Sequence, residues 1–149
     1  MRMIFINLPI KDLARSMAFF KALGFDHNPD FSDETAACIV ISESIYVMVL
    51  TEPKFQSFIK GEIAPGEVTE VINCLSCESK DEVLDLKAKA LANGGSAWRD
   101  DMDYGFMYGA SFRDPDGHVW EIMHMSQPEG WSGTQKGGSV AGAAPDRAQ

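Results

Sequence analysis

One pattern occurs twice in this chain and restricts its possible folds more than any other feature. In the first copy, Ile4, Ile6 and Leu8 alternate with Phe5, Asn7 and Pro9, the two-residue period of a strand. Asp12 then stands in an N-cap position, and Leu13, Ser16, Met17 and Phe20 follow at helical spacing. Leu23-Gly24 stops that helix, and Phe25–Phe31 reads as an extended stretch interrupted by Pro29. Ala36–Ile41 and Tyr46–Leu50 are apolar runs either side of a short polar turn, Ser42–Ser44, and predict a hairpin.

The order begins again at Thr69. A strand is expected over Glu70–Cys77. Ser79 and Glu82 then stand three apart, in capping-box spacing, before a helix with Val83, Leu84, Leu86, Ala88 and Leu91 on its apolar face. Asn93-Gly94-Gly95 ends it, because these residues tolerate the left-handed backbone that closes helices. Gly95–Asp101 reads as extended, and Phe106–Arg113 and His118–Met125 as strands. They are joined by Asp114-Pro115-Asp116-Gly117, with Pro and Gly where a type I turn prefers them.

Both halves therefore read β-α-β-β-β, a repeat of pattern rather than of letters. The expected fold class is α+β: two tandem βαβββ modules forming an open, partly closed sheet around a pocket. Module one is residues 1–52, the linker 53–68 and module two 69–125. The Gly-, Ser- and Ala-rich stretch 126–149 is expected to be mobile, with Trp131 in it unexplained. A hollow between two such modules is the natural place for a small ligand.

The composition agrees. With 149 residues, 45% of them hydrophobic, the chain is long enough to bury a core without metal or disulfide support. No apolar run approaches the roughly 20 residues of a membrane span. Met1–Pro9 reads as a strand rather than a secretion signal, so no membrane partner and a cytoplasmic location are expected. The net charge of −9 belongs to the folded part and repels phosphate backbones, which argues against nucleic acid. Cys38, Cys74 and Cys77 are few and odd in number, as in a reducing compartment. Cys74 and Cys77 have C-x-x-C spacing, but on one strand residues three apart face opposite ways, so buried structural thiols are expected.

Two segments resemble a known superfamily. Ile10-Lys11-Asp12-Leu13-Ala14-Arg15-Ser16-Met17-Ala18-Phe19-Phe20, with Leu23-Gly24-Phe25, resembles the opening of the vicinal oxygen chelate superfamily. That superfamily includes glyoxalase I, bleomycin-resistance proteins, fosfomycin-resistance transferases and extradiol dioxygenases. Phe112-Arg113-Asp114-Pro115-Asp116-Gly117-His118-Val119-Trp120-Glu121 resembles the segment that ends its catalytic module. The resemblance covers Met1 to about Met125 and implies the glyoxalase/bleomycin-resistance fold. It also implies a pocket lined from the first and last strands of each module, where metal-using members place four ligands.

Carried onto this chain, those four positions fall on Phe5, Met48, Ile72 and Glu121. Two hydrocarbons and a thioether replace three ligands, so no cofactor is expected. A divalent metal would need Glu121 together with recruited ligands. The implied pocket is apolar, with Phe5, Asn7, Met48, Ile72, Cys74 and Ser76 around the carboxylate of Glu121, and Tyr104 and Tyr108 beside its mouth. A carboxylate there would lose hydration and hold its proton more tightly, which makes Glu121 the candidate catalytic residue. The other reading is a structural Glu121 paired with Arg99, Arg113 or a tyrosine. A metal-free protein binding a small organic molecule is the first functional expectation, with a homodimer as its form. A metal-dependent lyase or dioxygenase is the second.

Overall fold

The computed structural model describes residues 1–126. The expected mobile tail and Trp131 lie outside the described residues, except for Ser126, whose N–H donates to the Phe106 carbonyl at 2.7 Å. Module one runs β1 (Ile4–Ile10), α1 (Leu13–Ala22), β2 (His27–Asn28), a 3-10 turn (Pro29–Phe31), β3 (Ala36–Val40) and β4 (Ile45–Thr51). The linker opens with α2 (Glu52–Gln56). Module two runs β5 (Ile72–Ser76), α3 (Lys80–Ala92), β6 (Ser96–Ala97), β7 (Met102–Asp103), β8 (Met107–Arg113) and β9 (Val119–Met125).

The pattern repeat is a repeat of topology. In each module the first strand lies parallel to the last, which pairs antiparallel with its predecessor: β1-β4-β3-β2 and β5-β9-β8-β6. The second strand of module two is broken, β6 and β7 both pairing along β8. Neither sheet closes, and β1 and β5 are each left as an edge strand.

The caps act as the sequence predicts. The Asp12 side chain accepts the Arg15 N–H at 3.1 Å. Ser79 accepts the Glu82 N–H at 3.1 Å, while Glu82 reaches back to the Glu78 N–H at 2.7 Å. Gly94 closes α3 at φ +105° and Gly117 completes the β8–β9 turn at φ +88°, both in the left-handed region.

Both helices cover the same side of their sheets, and the two helix sides share one core. Leu8, Ile10, Ile39, Val47 and Val49 of module one join Val83, Leu86, Ala110, Phe112 and Trp120 of module two. The joint is aromatic: Phe19 stands 6.0 Å from Phe112, and Phe20 meets Trp120 edge-on at 5.7 Å. Asp116 fastens its rim, accepting the Lys11 N–H (2.9 Å), Arg15 Nη2 (3.1 Å) and the buried Ser16 hydroxyl (3.2 Å). His118 Nε2 lies 2.6 Å from the Pro9 carbonyl, a further link across the seam.

Candidate functional site

Because the helix sides meet, each sheet keeps a second face that carries most of the expected site residues. On module one that face is built by alternation. Phe5 and Asn7 point away from Ile6 and Leu8, Met48 away from Val47 and Val49, and the register sets Cys38 directly beside Met48. The Phe5 and Tyr46 rings stack at 4.8 Å and 12°. With Met3, Met48, Cys38, Asn28 and Phe31 they line a hollow of about 440 Å³. Its aromatic rim is open to solvent, Phe5 being 49% and Phe31 67% exposed.

The 3-10 turn fixes that rim. The Asn28 side chain accepts the Asp30 N–H at 2.9 Å. The Ser32 hydroxyl donates to the Asn28 carbonyl at 2.6 Å and accepts the Cys38 N–H at 3.1 Å. Phe31 is thereby held over the sheet by a short polar brace rather than by packing.

On module two the corresponding face carries Ile72, Cys74 and Ser76 of β5 and Glu121 of β9, with Cys74 opposite Glu121. Glu121 is only 3% exposed. Its partner across β8 is Ser111, also buried, whose hydroxyl receives the Arg99 N–H at 3.3 Å. The candidate acid therefore sits on a polar strip, with the Arg99 backbone pinned beside it. Met102 and Met107 reach across Gly109 on the same face, and the Tyr104 hydroxyl lies 3.6 Å from Met102 Sδ.

The structure brings Phe5 and Met48 together, and Ile72 and Cys74 with Glu121, but on two separate sheets. The hollow that Phe5 and Met48 line has no wall from module two. The expected convergence of Phe5, Met48, Ile72 and Glu121 on one interior point is corrected accordingly. The shared aromatic core holds the modules helix side to helix side, so one chain does not face its two open sheets together. Tyr108 is also displaced from its expected place. It pairs with His124 on the helix side of β8, its hydroxyl donates to Asp101 at 2.6 Å, and Lys80 lies over its ring. The Asp101 hydrogen bond is the main cause that pushes the Tyr108 pKa up to about 12, so it remains a neutral phenol. The two cysteines face opposite ways, as strand alternation requires, so Cys77 is buried as expected but Cys74, expected to be a buried thiol, is exposed.

The bleomycin resistance protein-like N-terminal family matches residues 2–42. A hypothetical protein from S. aureus is 29% identical over 83% of this chain and 94% of its own, with a TM-score of 0.72. A glyoxalase/bleomycin resistance protein/dioxygenase family enzyme from Burkholderia phytofirmans is 15% identical over 81% of this chain and 96% of its own, TM-score 0.68. A genomically encoded fosfomycin resistance protein from Listeria monocytogenes is 17% identical over 85% of this chain and 93% of its own, TM-score 0.61. The chain has the fold of the glyoxalase/bleomycin resistance structures, and its first module matches the bleomycin resistance protein-like N-terminal family. The last two likenesses are likenesses of fold. No curated protein matches this chain in sequence.

Because the sequence resembles a superfamily with metal-using members, a divalent metal is the group to test against the donors present. Phe5 and Ile72 offer hydrocarbon, Met48 a soft thioether and Glu121 one carboxylate, which does not suit a hard or borderline divalent ion. Among the described residues no three His, Cys, Asp or Glu side chains are grouped to hold a metal ion. Sequence reading missed Tyr46, Cys38, Met3, Asn28 and Phe31 of the hollow. Two of these had a signal. Tyr46 is two residues before Met48 on one strand, and Cys38 and Met48 lie equally far either side of Glu43 at the centre of the hairpin turn.

Proposed function

We propose that this protein binds a small, largely apolar organic molecule in the hollow over the first sheet, without a divalent metal. The observation that carries this is the lining itself. A stacked Phe5–Tyr46 pair, two methionines and a braced Phe31 leave an aromatic and thioether surface open to water. Such a surface gains most by covering an apolar, ring-containing ligand.

A second copy of the chain completes the arrangement. β1 and β5 are both sheet edges, and Met3, Ile4 and Phe5 on one and Val71 and Ile72 on the other are exposed. Exposed apolar edges invite pairing with another chain. A homodimer that covers them would bring one protomer's oily hollow towards the partner's Glu121 face.

The test is a thermal-shift screen of aromatic and heteroaromatic compounds on metal-stripped protein. The expected result is stabilisation by a subset of them that is lost in Phe5→Ala. Absence of any such ligand would refute the reading. Sedimentation should give a dimer that Ile4→Lys and Ile72→Lys return to monomer. A lyase or dioxygenase of the superfamily type is the second reading, favoured by the buried Glu121. It predicts stoichiometric nickel, zinc, manganese or iron after reconstitution, lost in Glu121→Gln. The expected outcome is no such uptake.

A further inference from the structure

The hollow over the first sheet is walled by rings, thioethers and a thiol, and one amide, Asn28, stands among them. The register sets Asn28 directly opposite Cys38, which in turn neighbours Met48, so all three share the open face. The backbone settles which way the amide points. The Asp30 N–H is a donor, so the atom that meets it at 2.9 Å is the Asn28 oxygen. Turning the amide over would set two donors against each other. Its NH2 group is thereby fixed at the other arm, and it donates to no acceptor among the described residues.

The other polar atoms of the lining are committed or weak. The Tyr46 hydroxyl donates to the Glu43 carbonyl at 2.9 Å. Burial pushes the Cys38 thiol up from its ordinary pKa, so it stays neutral and offers only a weak S–H donor. No lining residue carries a charge at neutral pH. A charged ligand would therefore lose hydration without meeting an opposite charge. A flat ring laid against Phe5 and Tyr46 would strip water from the Asn28 NH2 group. That loss costs affinity unless the ring itself brings an acceptor.

We propose that Asn28 Nδ2 is the specificity-determining donor of this hollow, and that the ligand class is a neutral, flat aromatic molecule with a hydrogen-bond acceptor at its edge. A ring nitrogen or a carbonyl oxygen would serve. The inference rests on the reading of the hollow as an organic-ligand site and narrows it from any apolar ring to acceptor-bearing ones.

The test sets quinoline against naphthalene, which differ by one ring nitrogen, with indole as a ring that donates instead. Each would be titrated into isotope-labelled full-length protein near neutral pH, where quinoline is uncharged, and followed by NMR. Quinoline should bind about tenfold more tightly than naphthalene. The Asn28 side-chain NH2 resonance should move downfield with quinoline and not with naphthalene. Asn28→Asp and Asn28→Ser both keep an oxygen for the Asp30 N–H, so the turn that carries Phe31 persists. Both should abolish the advantage of quinoline. Asn28→Asp should also favour indole over naphthalene, because its carboxylate accepts the indole N–H, a reversal that loosening of the turn would not produce. Equal affinities for quinoline and naphthalene in the unaltered chain would overturn the proposal, as would an advantage of quinoline that survives Asn28→Asp. Phe5→Ala tells this inference from the reading beneath it. If the rings bind, weaken in Phe5→Ala and show no preference for quinoline, only the role of Asn28 falls. If none of them binds the unaltered chain, the organic-ligand reading falls and the role of Asn28 falls with it.

Discussion

Asp114 and Asp116 stand two residues apart in one turn and do different work. Asp116 spans the modules, reaching backbone and side-chain donors 100 to 105 residues away. Replacing it by Ala leaves the Lys11 N–H and the buried Ser16 hydroxyl without their acceptor. An unsatisfied buried group costs about 1–3 kcal/mol, so urea midpoints should fall accordingly. Arg15→Ala should cost at most about 1 kcal/mol, because that partner is half exposed. Asp114 is buried and accepts the Trp120 indole N–H and the Asp116 and His118 backbone N–H groups. Burial nevertheless outweighs these bonds and the nearby His118, and raises its pKa. The folded chain thus holds this proton more tightly than the unfolded chain does. The contribution is full below the ordinary Asp pKa and is lost as pH rises through the raised folded value. Denaturation over a pH series should show that slope, and Asp114→Asn should remove it while lowering stability throughout. The turn itself was legible in Asp114-Pro115-Asp116-Gly117, because turn preference is local. The clasp was not, because its partners lie a hundred residues away and no spacing rule connects them.

At the scale of elements, α3 is fastened to its sheet by a polar strap as well as by Val83 and Leu86. Lys87 Nζ and the Tyr108 hydroxyl both sit 2.6 Å from Asp101. Partial burial pushes Asp101 upward, but those hydrogen bonds and the Lys87 charge prevail and lower its pKa. Its contribution is therefore present above the ordinary Asp value and lost as pH falls through the depressed one. Tyr108→Phe should move the Asp101 titration back towards the ordinary value, as carboxyl-carbon NMR would show, and acid unfolding should begin at higher pH. Where α3 meets β8 and α1, Gly95 leaves no room. An added Cβ would lie 2.7 Å from the Arg113 carbonyl and 2.8 Å from the Ala90 carbonyl. Gly95→Ala should cost about 1–3 kcal/mol by overpacking, read as a lower melting temperature. Here legibility divides differently. The capped helices and the β8–β9 hairpin follow from local chemistry. The side of Tyr108 also followed from parity, since it lies three residues from Ser111, which faces Glu121 across the hairpin. Its aromatic, glycine-flanked neighbourhood suggested a pocket mouth instead, and strand parity is the stronger constraint.

The arrangement of the whole molecule is the part that pattern reading left open. Each βαβββ unit has an apolar helix side and a less apolar open side, and alternation alone does not say which sides of two units meet. Phe19, Phe20, Phe112 and Trp120 decide it: four large rings gain more by sharing one dry core than either module gains alone. The consequence for function is direct. Joining the helix sides leaves the Phe5–Met48 face and the Glu121 face on separate sheets, so the hollow proposed to bind a ligand lies outside the shared core. The consequence for stability is that the modules should not unfold separately. Phe19 is buried and touches both halves, and Phe→Ala in a core costs about 3–5 kcal/mol. Phe19→Ala should lower denaturation midpoints followed by Trp120 fluorescence, a module-two signal, and by amide exchange in β1 and β4, a module-one signal, by the same free energy. Two separated transitions, with β1 and β4 losing protection while Trp120 keeps its native emission, would mean that the aromatic seam joins two independent domains instead of building one.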